Sequence, residues 1–132
     1  MTEGWRGTLA RYCAMRHSGR VDTSQMLRGA LDLVVLAVLA DDDGYGYDVL
    51  RRLRDAGLTE VGDASVYGTL RRLSKAGLLL SYTAPSDEGP DRRYYGLTPA
   101  GREELRLGAK TWWAFSSAVD DLIRDHAPGR TP

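Results

Sequence analysis

Residues Leu78–Gly101, LLLSYTAPSDEGPDRRYYGLTPAG, decide the fold. Leu78 to Ala84 is extended in character, Pro85 to Asp91 is a loop of prolines, glycine and acids, and Arg92 to Leu97 reads as a second strand around Tyr94 and Tyr95. Two strands about such a loop predict a β-hairpin. Thr98-Pro99 then predicts an abrupt helix start, with a hydroxyl at the N-cap and proline at the first helical position, where its missing N–H costs nothing.

Upstream of the hairpin the periodicity turns helical. Ser24 is a suitable N-cap for a first helix, and Leu27, Ala30, Leu31, Val34, Val35, Val38 and Leu39 give it an apolar stripe wide enough for burial on most sides. Asp41-Asp42-Asp43-Gly44 ends it in a polar turn. A second helix is predicted from about Tyr45 to Ala56, with Tyr47, Leu50 and Leu53 inward, Arg51, Arg52 and Arg54 outward, and Gly57 as its stop. Gly62 and Asp63 can cap a third, from about Ala64 to Ala76, whose buried face is Val66, Leu70 and Leu73 and whose stop is Gly77. Beyond Pro99 a long fourth helix can run to about His126. The expected architecture is mainly α with a two-stranded wing. It comprises a winged helix-turn-helix over residues 24–97, a C-terminal helix over 98–127 and a tail of 128–132. Residues 1–23 form a basic extension carrying Arg6, Arg11, Arg16 and Arg20, either a mobile tail or a short helix with Trp5, Leu9 and Tyr12 on one side.

With 132 residues the chain fits one domain, and 18 basic residues balance 18 acidic ones, so any attraction to nucleic acid must come from local clustering of charge. A single cysteine, Cys13, permits neither an internal disulfide nor a zinc-binding pattern, and His17 and His126 stand at opposite ends. No metal or cofactor is expected. The pattern of a nucleophile with its base is missing, as is a glycine-rich phosphate loop, so an enzyme is not expected. The longest apolar run, Leu33–Ala40, is too short to span a bilayer, and a cytoplasmic location is the expectation.

In a helix-turn-helix the second helix of the pair enters the major groove. Here the face of the third helix away from its apolar stripe carries Ser65, Tyr67, Thr69, Arg71, Arg72 and Lys75, hydroxyls first and cations after them. Arg92 and Arg93 lead the second strand of the wing, where a minor groove and its phosphates would lie. Adjacent strand residues face opposite ways, so one arginine is expected to touch DNA while the other packs or pairs with an acid. Asp87, Glu88 and Asp91 work against a DNA role at the wing tip, which leaves a second reading open: a winged helix that contacts protein and not DNA. In the fourth helix Leu105, Ala109, Trp112, Ser116, Val119 and Ile123 form a narrow seam that Phe115 and Leu122 widen. Another copy of the chain is the economical cover for it, giving a two-fold dimer. Trp112 and Trp113 cannot both enter the seam; either they serve plain packing, or one lines a ligand cavity between protomers.

These fragments, in this order, resemble the PadR family of transcriptional regulators. The resemblance is carried by Leu27, Gly29, Leu31, Asp32 and Leu33, by Tyr45-Gly46-Tyr47, by Ser65-Val66-Tyr67-Gly68-Thr69-Leu70-Arg71-Arg72-Leu73 running into Gly77-Leu78, and most specifically by Arg92-Arg93-Tyr94-Tyr95-Gly96-Leu97-Thr98-Pro99-Ala100-Gly101-Arg102. It implies a homodimer that represses transcription, joined through its fourth helix, with small aromatic effectors bound near that helix. The single C-terminal helix is similar to the family's small subgroup. The family's recognition tyrosine maps onto Tyr67, and its basic wing residue onto Arg92 or Arg93. Two departures stand out: Gly68 occupies a place where the family commonly has proline, and the basic N-terminal extension is longer than usual. A glycine inside a helix costs about 1 kcal/mol against alanine, so the expectation is a less rigid third helix or an opened first turn.

Overall fold

A computed structural model describes residues 23–126. Residues 1–22 of the expected basic extension and residues 127–132 lie outside that range. Helix α1 (Thr23–Asp41) starts one residue before the expected cap at Ser24 and buries Leu31, Val35, Leu36 and Leu39. Helix α2 (Gly46–Asp55) crosses it with Val49, Leu50 and Leu53 inward, and helix α3 (Asp63–Lys75) adds Val66, Leu70 and Leu73. Val61 from the intervening turn and Leu79 and Leu97 from the sheet close the core.

Both α2 and α3 end as the glycines predict. The N–H groups of Leu58 and Leu78 reach back to the carbonyls of Leu53 and Leu73 at 3.0 Å, and Gly57 and Gly77 adopt positive φ. This Schellman geometry satisfies carbonyls that the helix leaves open, and it needs a residue without a Cβ in the left-handed region. At its other end α3 differs from expectation. Gly62 is the N-cap and Asp63 the first helical residue, with no side-chain cap.

The sheet is antiparallel, in the order β1-β3-β2, from β1 (Gly44–Tyr45), β2 (Leu79–Ser86) and β3 (Gly89–Leu97). Its hairpin is longer than the sequence suggests, and the expected Pro85–Asp91 loop shrinks to Asp87 and Glu88. Pairing continues to Ser86 opposite Gly89 because an irregularity between Ala84 and Ser86 accommodates Pro85, whose nitrogen has no proton to donate. Strand β1 replaces the expected end of the polar turn and start of the second helix. Gly44 and Tyr45 pair with Tyr95 and Tyr94.

Helix α4 (Pro99–Ile123) begins as Thr98-Pro99 dictates and finishes in a 3-10 turn, Arg124–His126. The Thr98 hydroxyl accepts the Gly101 N–H at 3.0 Å and donates to the Gly77 carbonyl at 2.8 Å. One side chain therefore caps α4 and fastens it to the end of α3. Further along, α4 lies against α1 so closely that a Cβ on Gly108 would meet Leu33 Cδ1 at 2.9 Å.

Helix α3 runs unbroken through Gly68, so the opened first turn does not occur. A Cβ at Gly68 would meet open space. Gly68→Ala is therefore expected to raise stability by about 0.5–1 kcal/mol, through helix propensity alone. A thermal melt checks this, and an unchanged or lower midpoint would contradict it.

Candidate nucleic-acid interface

Helix α3 presents its outer face with Ser65, Tyr67, Arg71 and Lys75 exposed, Tyr67 to 40 %. Among the described residues neither Arg71 nor Lys75 has an ion-pair partner. The first turn of the helix is open to solvent at Gly62, Asp63, Ala64 and Ser65. Its free N–H groups favour an anionic oxygen there, although Asp63 opposes one. Arg54 steadies this end by donating to the Val61 carbonyl at 2.9 and 3.3 Å, which fixes the turn between α2 and α3.

Two residues expected on this face do other work. Thr69 is only 3 % exposed. It lies three residues after Val66 and beside Leu70, so the helix carries it onto the apolar side, where a small β-branched side chain fits. Arg72 turns back to α1 and grips Asp32 with two hydrogen bonds of 2.7 and 2.8 Å. The pair ties α3 to α1 by a forked contact of the kind guanidinium and carboxylate make best.

That contact has a pH signature. The hydrogen bonds from Arg72 hold the Asp32 carboxyl below the usual carboxylate range, against a smaller opposing effect of partial burial. A depressed folded pKa adds stability above the unfolded value, near 3.9, and loses it as pH falls through the folded one. Both partners remain half exposed, so the pair is worth at most about 1 kcal/mol. Asp32→Asn is expected to lower stability by up to that amount at neutral pH and to flatten its decline below about pH 4. Urea midpoints at several pH values test this; parallel acid limbs for parent and variant would refute it.

The wing sorts its two arginines as the alternation of a strand requires. Arg92 lies over the Tyr45 ring, 4.4 Å from its centroid, and is half-buried. Arg93, opposite Thr83, is exposed and donates to Ser81 Oγ at 3.4 Å. Beneath Arg92 the tyrosines interlock. Tyr45 meets Tyr94 edge-on at 5.5 Å, and Tyr82 stacks on Tyr94 at 5.7 Å. The Tyr82 hydroxyl donates to Asp43 at 2.6 Å, which raises the pKa of that phenol. All three strands are clasped at the wing base, so the direction in which Arg93 leaves the domain is set by aromatic packing.

Helix α2 corrects two further expectations. Its buried positions follow Gly46, Val49, Leu50 and Leu53, which turns Tyr47 outward to 58 % exposure. Arg52 is half-buried: it donates to the carbonyls of Val38 and Asp42, both at 3.1 Å, and pairs with Asp48 at 3.0 Å, tying α2 to the end of α1.

On α4 the expected seam divides. Leu105 packs against the core of its own chain, and Ala109 and Ser116 are half-buried. From Trp112 onward the apolar side chains stand free: Trp112, Trp113, Phe115, Val119, Leu122 and Ile123 are all exposed, Leu122 to 76 %. Trp112 and Phe115 touch each other, their ring centroids 6.2 Å apart, while Trp113 is 65 % exposed.

The sequence of residues 35–107 matches the family described as "Transcriptional regulator PadR-like family", a span that holds the α2–α3 pair, the wing and the start of α4. The chain belongs to the PadR family. It is 33 % identical over 104 residues to a transcriptional regulator of Mycobacterium tuberculosis, covering 79 % of this chain and 89 % of that one. Its fold matches the PadR-like transcriptional regulator of Bacillus cereus with a TM-score of 0.68 and 33 % identity, over 75 % of this chain and 96 % of the other. A PadR family regulator of Eggerthella lenta matches with a TM-score of 0.68 and 30 % identity, over 75 % and 86 % of the two chains.

Membership makes this PadR chain a DNA-binding transcriptional regulator of winged-helix fold. Among the described residues no helix is long and apolar enough to cross a membrane. The PadR match ends at Leu107, itself exposed, and the run of exposed apolar side chains from Trp112 to Ile123 lies beyond it.

Proposed function

We propose that this PadR protein is a homodimeric repressor that blocks a promoter by occupying a pseudo-palindromic operator. Residues 24–97 form the DNA-binding unit, and α4, in the segment 98–127, joins two copies. The observation that carries the reading is the outer face of α3, where exposed hydroxyls precede Arg71 and Lys75, two cations without ion-pair partners among the described residues. Ser65 and Tyr67 would meet base edges, Arg71 and Lys75 phosphates, and Arg93 the backbone beside the minor groove. Arg72 and Arg92 serve by bracing α3 and the wing. The dimer rests on the uncovered apolar side chains of α4, a patch of the kind that marks an interface.

A small aromatic molecule seated by Trp112 or Trp113 between protomers would act as effector. It would favour a spacing of the two heads unsuited to DNA, and it would work only through that difference in affinity. Such a repressor would act in the cytoplasm.

Footprinting on the DNA upstream of the chain's own gene tests the proposal. Two protected half-sites about 10 bp apart are expected. Uniform weak protection at every sequence would contradict it.

A further inference from the structure

We propose that Gly46, on the helix before the reading helix, is the positioning residue that seats Tyr67 for recognition. This inference rests on the reading of α3 as the DNA-contacting element.

Gly46 opens α2 and is buried. Its backbone gives no reason for glycine, since the positive-φ glycines among the described residues are Gly57, Gly77 and Gly89. Alanine is the stronger helix former, so on local grounds it would be preferred. What glycine provides is space. A Cβ at Gly46 would overlap the Tyr67 ring, lying 2.7 Å from Cζ and 2.8 Å from Cδ1, with Cε1 nearer still. The ring of Tyr67 therefore rests on the first turn of α2, in a seat that exists because Gly46 has no side chain.

Tyr67 is followed by a glycine on its own helix. Its neighbour Gly68 contributes no side chain and borders open space. With the ring held on α2, the side chain leaves α3 in one orientation while remaining 40 % exposed. Fixing a rotamer before binding removes the cost of ordering it in the complex. A hydroxyl held this way can discriminate between base edges, whereas a swinging one would contact any sequence alike.

The geometry also separates function from folding. The atoms that a Cβ would strike are the outer edge of a partly exposed side chain, which can rotate away, and not backbone. Alanine at Gly46 should displace the tyrosine and leave the fold standing.

The test is a cycle of four proteins: parent, Gly46→Ala, Tyr67→Ala and the double variant. Each is melted, and each is titrated with an upstream duplex and a scrambled duplex. Gly46→Ala is expected to weaken binding to the upstream duplex by about tenfold, as loss of a well-placed hydrogen bond does, with little change on the scrambled one. In the Tyr67→Ala background the same change should alter affinity less than about twofold, because the two residues act as one unit. Melting midpoints should also couple, alanine at Gly46 being better tolerated once Tyr67 is gone. Gly46→Ala binding as the parent does would overturn the proposal, and so would equal losses of affinity or of midpoint in both backgrounds. Should Tyr67→Ala itself bind like the parent, the reading of α3 fails, while the coupling of the melts still reports on the seat.

Discussion

Alanine at Gly101 is expected to destabilise the fold by about 3 kcal/mol, the combined effect of overpacking and a disturbed helix cap. Gly101 lies in the first turn of α4 and is buried. A Cβ there would run into the Leu78 carbonyl oxygen and approach the Leu78 carbonyl carbon to 3.1 Å. Backbone cannot swing aside as a surface side chain can, and this carbonyl already accepts the Thr98 N–H at 3.1 Å. Relief requires the start of α4 to retreat from the end of α3, which breaks the two hydrogen bonds of the Thr98 hydroxyl. Against a typical total stability of about 5–15 kcal/mol the loss is large, and the midpoint should fall by more than about 10 °C. An unchanged melt would show that α4 is not pinned at Leu78.

The second large effect concerns assembly. Replacing both Val119 and Leu122 by aspartate is expected to yield monomers and to weaken operator binding by about 100-fold or more, because two linked heads bind with an effective concentration that one lacks. Both side chains are exposed on the stretch of α4 that the chain's own core does not cover, so the fold should tolerate the change. Carboxylates buried face to face at a two-fold interface would be left unpaired. Sedimentation gives the mass and a DNA titration the affinity. A variant that remains dimeric would move the interface elsewhere. A monomer with parental affinity would remove the need for a dimer in recognition.

Much of the architecture is legible in sequence because its signals are local. The Val66, Leu70, Leu73 spacing, the stops at Gly57 and Gly77 and the Thr98-Pro99 start each act within a turn of helix. What escapes is long-range. Strand β1 has two residues and exists only because β3 lies beside it. The Arg72–Asp32 fork joins residues 40 apart, and its sole hint is an aspartate within the apolar run of α1. Thr69 misleads because a hydroxyl suggests an outer face, whereas its place on the helical wheel is beside Val66 and Leu70. Tyr47 and Arg52 mislead because the buried stripe runs through Gly46, Val49, Leu50 and Leu53 and leaves both of them on its flanks.

The site shows the same division. Helix α3 is recognisable from sequence as the second helix of the helix-turn-helix pair, and the opposite faces of Arg92 and Arg93 follow from strand geometry. The platform under Arg92, built by Tyr45, Tyr94, Tyr82 and Asp43, requires the three strands to be assembled first.

The most direct test of α3 as the DNA-reading element is a salt series, with parent and an Arg71→Ala, Lys75→Ala double variant titrated on the upstream duplex. Parental affinity should fall steeply with salt. The variant should bind more weakly with a slope shallower by about 2, one for each phosphate it no longer neutralises. Equal affinities and equal slopes would show that this face of α3 does not meet DNA.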